Sequence, residues 1–221
     1  MPAKPNILYL MCDQLRHDCV AALGNPRIST PNLDRLVRRG ASFTNAYTPA
    51  PVCVAARYSV RTGRDPHTTC SFSNRPPRAL GGLPESMEGR CGPYLARRLR
   101  ELGYRTYGVG KFHTTPDGGE DLGYDVTLRT EEIYGTPEER SRDAYGSFLM
   151  GSHPEYAHVE QPHGERTEMY YVPQTAALPK ELTVESFVAD EVVGLINEPD
   201  PLGRPWFAFA SFIGPHPPCA P

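Results

Sequence analysis

The sequence predicts an α/β fold, a mostly parallel sheet with helices on both faces, and three runs that read as strands carry that prediction. Residues 6–12, NILYLMC, are apolar apart from their ends and stop abruptly at Asp13-Gln14. This is the pattern of a strand buried on both faces of a parallel sheet. Residues 104–109 form a second run behind a helical segment closed by Gly103, and residues 206–213, WFAFASFI, form a third behind another helical segment. Strands that alternate with helices build parallel sheets, because each return to the sheet needs a crossover.

The elements follow in order. Thr30 and Pro31 read as an N-cap and first helical position, Leu33, Leu36 and Val37 as an apolar stripe, and Gly40 as a stop, so a helix spans residues 31–39. Residues 41–47 alternate and read as a strand, and after the Pro49-Ala50-Pro51 turn residues 53–62 read as a helix stopped by Gly63. Residues 94–102 place Leu95, Leu99 and Leu102 on one helical face, and residues 183–196 do the same with Val184, Phe187, Val188, Val192 and Leu195. Between residues 112 and 179 lies a stretch rich in Gly, Pro, Glu and Tyr with little periodicity, where substrate selection is expected because loops of such length are commonly functional. His153, His158 and His163 recur every five residues, which puts them on no common face, and they read as solvated loop residues.

Length and charge exclude several roles. A chain of 221 residues is long enough for one sizeable core. A net charge of -3 with dispersed Lys and Arg leaves no basic surface for a phosphate backbone, so no nucleic-acid partner is expected. The apolar run at residues 7–11 is far short of the ~20 residues of a membrane span and too short for a signal core, so a soluble, cytoplasmic protein without membrane contact is expected. The six cysteines, at 12, 19, 53, 70, 91 and 219, include no C-x-x-C pair or zinc-type spacing, and most read as small buried hydrophobes.

In open α/β sheets ligands bind beyond the carboxyl ends of the strands. Asp13 follows the first strand, Lys111 and His113 the second, and His216 the third. Singly, such an Asp is commonly a turn former and such a Lys or His a solvated loop residue. Together, on parallel strands, they suit a metal-bound, multiply charged oxyanion such as sulfate or phosphate. Cys53 stands at a helix start, where free N–H groups and the dipole favour an anion, and Arg57 lies one turn on, beside the same place. The next arginines fall at Cys+4 and Cys+8, which does not make the C-x5-R loop of a cysteine phosphatase.

The segment PAPVCVAARYSVRTGR, residues 49–64, resembles the signature of the formylglycine-dependent sulfatases of the alkaline phosphatase superfamily, C-x-P-x-R or C-x-A-x-R followed by T-G-R. Further blocks resemble the family in its order: Asn6-Ile7-Leu8 leading to Asp13-Gln14, Thr30-Pro31-Asn32-Leu33-Asp34-Arg35-Leu36, Phe43-Thr44-Asn45-Ala46-Tyr47, Gly110-Lys111-Phe112-His113 and Pro215-His216-Pro217. The resemblance implies hydrolysis of a small-molecule sulfate ester. A separate maturation enzyme would oxidise Cys53 to formylglycine; one hydroxyl of its hydrate would attack sulfur, and the other would lose a proton and expel sulfate. It also implies a divalent metal, calcium with magnesium or manganese as alternatives, on Asp13, Gln14 and residue 53. Arg57 would hold the hydrate, Lys111 would bridge it to a substrate oxygen, His113 would take the proton, and His216 would serve the leaving-group oxygen; Arg61, Thr62 and Arg64 would be structural.

Gln14 stands where many sulfatases carry a second Asp, a form similar to a subgroup that includes phosphonate monoester and phosphodiester hydrolases. The family also draws an Asp-His or Asp-Asn pair from well beyond the Pro-His-Pro block, and this chain stops at Pro221. Residues 1–221 therefore read as the N-terminal portion of a catalytic domain, with a long insertion at about 112–179 and half of the metal site lacking. The isolated chain is expected to be inactive, or a silent fragment, and its open sheet edge to be covered by an oligomer or by further residues.

Overall fold

The computed structural model of the chain describes residues 4–74, 87–113, 121–131, 136–156, 158–159 and 172–218. It divides into two compact units, one of Met1–Asp13 with Pro49–Pro221 and one of Gln14–Thr48. The helices are α1 Pro31–Arg39, α2 Cys53–Thr62, α3 Pro66–Thr69, α4 Met87–Cys91, α5 Leu95–Glu101, α6 Pro137–Arg142, α7 Ala144–Ser152 and α8 Val184–Asn197. In the smaller unit, α1 begins at Pro31, and Asp34 Oδ1 accepts bonds from the Thr30 hydroxyl (2.7 Å) and the Ala22 amide (2.9 Å).

The larger unit is built on strands β1 Ile7–Cys12, β2 Arg105–Gly110, β3 Val126–Arg129 and β4 Trp206–Phe212, all parallel in the order β1-β4-β2-β3. The period of two along β4 sorts its side chains between two cores. Phe207 and Phe209 join Val54 and Tyr58 of α2, Met87 and Cys91 of α4, and Ala96 of α5. Ala208 and Ala210 face Tyr145 and Leu149 of α7 and Val184, Phe187, Val188 and Val192 of α8. Large residues toward one helical layer and small ones toward the other let both layers close on the sheet. The fold class is thus the expected one, with helices on both faces.

Several local expectations are corrected. β1 is an edge strand, not a buried one: Leu8, Tyr9 and Leu10 are 45%, 37% and 49% exposed. An apolar strand with one unpaired side is a template for another strand. Residues 41–47 form no strand; alternation alone does not supply a hydrogen-bonding neighbour, and Phe43 and Tyr47 are exposed. On α5 the buried residue is Ala96, Leu99 is partly buried against the same core as expected, and Leu95 and Leu102, the latter beyond the helix end, are exposed. The stretch 112–179 contains β3, α6 and α7, and two of its side chains, Tyr145 and Leu149, are fully buried. The cue for α7 was Asp143, whose carboxylate accepts the Tyr145 and Gly146 amides at 3.0 Å each, an N-cap inside a stretch that reads as loop. Of the described cysteines only Cys91 is buried, and Cys12, Cys19, Cys53, Cys70 and Cys91 are all free thiols. His153 packs edge-on against Phe148 (5.2 Å) rather than standing in solvent, His158 is exposed, and His163 lies outside the described residues. Among the described residues no helix is long and apolar enough to cross a membrane.

At the end of β2 the backbone turns at Gly110, φ 101°, and a Cβ there would stand 1.9 Å from the Ser211 carbonyl oxygen of β4. Gly63, φ 66°, closes α2 with nothing near its missing Cβ. Gly63→Ala should cost about 1 kcal/mol, the left-handed penalty alone, whereas Gly110→Ala should cost about 3 kcal/mol or more. Urea unfolding of the two variants checks this; equal losses would contradict the close approach at Gly110.

Candidate active site

Parallel register sets the site. Met11 of β1 and Gly110 of β2 both lie opposite Ser211 of β4, so the residues that follow leave the sheet side by side. The ladder runs on by one bond on each side, Asp13 N–H to the Phe212 carbonyl (3.2 Å) and Lys111 N–H to the Ser211 carbonyl (3.0 Å). Asp13 and Lys111 are thereby delivered together at the carboxyl edge of the sheet. α2 approaches with Cys53 as its first residue; its N-cap, Val52, has no side-chain oxygen to occupy the helix start, and Asn74 Oδ1 accepts the Val54 amide at 3.1 Å.

The side chains meet on Asp13. Lys111 Nζ lies 2.6 Å from Asp13 Oδ2, Arg57 Nη2 lies 3.2 Å from the same oxygen, and Cys53 Sγ lies 3.6 Å from Oδ1. Arg57 Nη1 bonds the Ser211 hydroxyl (2.9 Å) and the Lys111 carbonyl. Lys111, Arg57 and Asp13 are 0%, 2% and 7% exposed. Burial opposes ionisation of Asp13, but the Lys111 ammonium, the Arg57 guanidinium and the His216 ring together override it and hold the carboxyl below the usual carboxylate range. Glu131, buried nearby, also feels the charges of Lys111 and Arg57, and among the described residues Arg57 Nε is buried without a hydrogen-bond partner.

The histidines sit on the flanking loops. His113 follows Lys111 by two residues in a left-handed conformation, φ 50°, with its amide bonded to Glu131 Oε1 at 2.8 Å. His216 closes a turn from Ile213, its Nδ1 lying 2.6 Å from the Pro217 carbonyl oxygen, while the preceding Gly214 amide is held by Glu185 Oε1 at 3.0 Å. Gln14 opens the smaller unit, with φ 63°. Around α2, Arg61 bonds the Phe112 carbonyl at 3.1 Å, Thr62 Oγ1 bonds the Tyr58 carbonyl at 2.7 Å, and Arg64 reaches the Cys91 carbonyl at 3.5 Å, all contacts that anchor the helix.

Four residues escaped the sequence reading: Ser211, Asn74, Glu131 and Glu185. Ser211 carried a signal, since a hydroxyl inside the apolar run WFAFASFI needs a partner when buried. The other three act across long sequence separations and carried none.

A family model for sulfatases matches residues 5–221. The chain belongs to the sulfatase family. An arylsulfatase of Clostridium perfringens (strain 13 / Type A) is 26% identical over 227 residues, which take in 99% of this chain and 44% of that protein. A choline-sulfatase of Rhizobium meliloti (strain 1021) is 31% identical over 97% of this chain and 39% of its own length. Among solved structures, a phosphonate monoester hydrolase of Agrobacterium radiobacter superimposes with a TM-score of 0.66 at 24% identity, over 99% of this chain and 42% of that one, a likeness of fold. This sulfatase-family chain therefore spans less than half the length of these relatives.

A divalent cation, which the family implies, finds part of a site. Asp13 Oδ1 and the side chain of residue 53 face each other, and the Sγ of Cys53 stands where an oxygen would be after oxidation. Among the described residues no group of three or more His, Cys, Asp or Glu could hold a metal ion. A hard cation that takes about six to eight oxygens is only begun by this set.

Asp13→Asn should leave Lys111 and Arg57 buried without their counter-charge and cost about 3–5 kcal/mol of stability. A carboxyl whose pKa is lowered on folding contributes stability above its unfolded value, about 3.9, and loses it as pH falls through the lower folded value. The variant should therefore show a shallower loss of stability in acid than the wild type below about pH 4. Urea midpoints measured across that range check both statements; an unchanged midpoint at neutral pH would contradict the first.

Proposed function

We propose that the whole protein is a sulfuric ester hydrolase whose nucleophile derives from Cys53. The observation that carries this reading is the closure of Asp13, Arg57 and Lys111, from two parallel strands and a helix, around a cysteine that is the first residue of a helix. When present, a divalent cation and the formylglycine made from Cys53 by a maturation enzyme supply a hydroxyl acidic enough to act as a nucleophile toward sulfur. Calcium, magnesium and manganese all suit the oxygen donor at Asp13. Gln14 would add a neutral oxygen, and the remaining ligands would come from the part of the relatives' length that this chain does not span.

The chain's own groups have distinct work. Arg57, fixed by Ser211 and Asp13, would offer its Nε, which has no partner among the described residues, to an oxygen of the matured residue 53. Lys111 Nζ, held in place on Asp13, would neutralise a sulfate oxygen. His113 would accept a proton from residue 53, and His216 would give one to the leaving-group oxygen. A second reading, hydrolysis of phosphonate or phosphate diesters, is favoured by Gln14 in place of an acid beside Asp13.

Paired assays of the full-length, matured protein with a sulfate and a phosphonate ester of one phenol test the two readings. Faster sulfate hydrolysis, lowered by at least about a thousandfold in Cys53→Ala, is expected. Faster phosphonate hydrolysis would favour the second reading, and undiminished activity in Cys53→Ala would contradict both.

A further inference from the structure

We propose that Glu131 is a positioning residue that locks the backbone of His113 in the turn from which its imidazole acts. The proposal rests on the role given to His113 above, and on geometry that role does not require. Beyond the end of β3 the ladder with β2 runs on through the Thr130 amide to the Gly110 carbonyl (3.0 Å), which brings Glu131 abreast of the loop after β2. There Glu131 Oε1 accepts two successive amides, His113 at 2.8 Å and Phe112 at 3.3 Å. Glu131 is itself anchored: its amide donates to Asp143 Oδ2 at 2.8 Å, while Asp143 Oδ1 caps α7.

The loop needs that hold. His113 has φ 50°, a left-handed conformation that a side-chain-bearing residue adopts at a cost and keeps only where its surroundings enforce it. One oxygen that collects both amides satisfies two donors and fixes the reversal. Without it, the chain at His113 is free to return to an extended conformation, and the imidazole is carried with it. Accepting two N–H bonds requires an oxygen at that position but no negative charge, so an amide should serve as well as a carboxylate. α7 and β3, both within the stretch 112–179, would thus act on the site through Asp143 and Glu131.

The test is made in the full-length protein, with amide hydrogen exchange at residues 112 and 113 as the readout of backbone hold and steady-state ester hydrolysis as the readout of its consequence. Glu131→Ala should speed exchange at both amides and lower kcat about ten- to a hundredfold, with KM changed less than about threefold. Glu131→Gln should restore both. In a His113→Ala background, Glu131→Ala should bring no further loss of kcat, because its effect passes through His113. If Glu131→Ala does not fold, Glu131→Asp, one methylene shorter, replaces it with the same expected direction. Unchanged exchange, wild-type kcat in the variant, or an undiminished loss in the His113→Ala background would overturn the proposal. A wild-type protein without ester hydrolase activity would overturn the proposed function instead, and the exchange measurement would still decide whether Glu131 holds the loop.

Discussion

Asp13 carries a carboxylate into a place nearly closed to water, and there Lys111 and Arg57 both bond the same oxygen. That shared contact joins the end of β1, the loop after β2 and the first turn and a half of α2. It costs desolvation of three charged groups, which neighbouring apolar residues of equal volume would not, so its presence argues for chemistry rather than for stability. The same oxygen that receives two cations leaves Oδ1 turned toward Cys53. The place of Cys53 and the orientation of both Asp13 oxygens are therefore set by one ion triad.

The triad in turn depends on a parallel sheet with its strands in step. Because Met11, Gly110 and Ser211 share a row, the chain leaves all three strands at the same level, and Ser211 turns its hydroxyl to Arg57. The absence of a side chain at Gly110 is what lets β2 close on β4 at that row. Beyond the edge, two acidic residues act as backbone clamps. Glu131 holds the His113 loop and Glu185 the turn before His216. The loops that carry His113 and His216 are thereby fixed by groups borne on, or next to, regular elements.

Much of this was legible in the sequence, and for physical reasons. A buried strand such as β4 writes itself as a nearly unbroken apolar run, and glycine stops, with a proline start for α1, mark helix ends, so α1 and α2 fall on the residues expected of them. Polar residues at strand ends pointed to Asp13 and Lys111. Burial was less legible: the apolar run of β1 is the same whether the strand is central or, as here, at an edge. The alternation at residues 41–47 lacked a partner strand, and β3 is too short to have a period of its own. Glu131 and Glu185 could not be read at all, because their importance lies in which distant amide each one meets.

The most direct test of the central claim is the mass of the tryptic peptide of residues 40–57, taken from protein made in its native host. A peptide lighter than the cysteine form by the exchange of thiol for aldehyde, and reactive toward hydrazide, is the expected result: the residue beside Asp13 is then a matured nucleophile. An unmodified Cys53 that alkylates as a free thiol would contradict it, and would leave the ion triad as a piece of fold without the nucleophile the account places beside it.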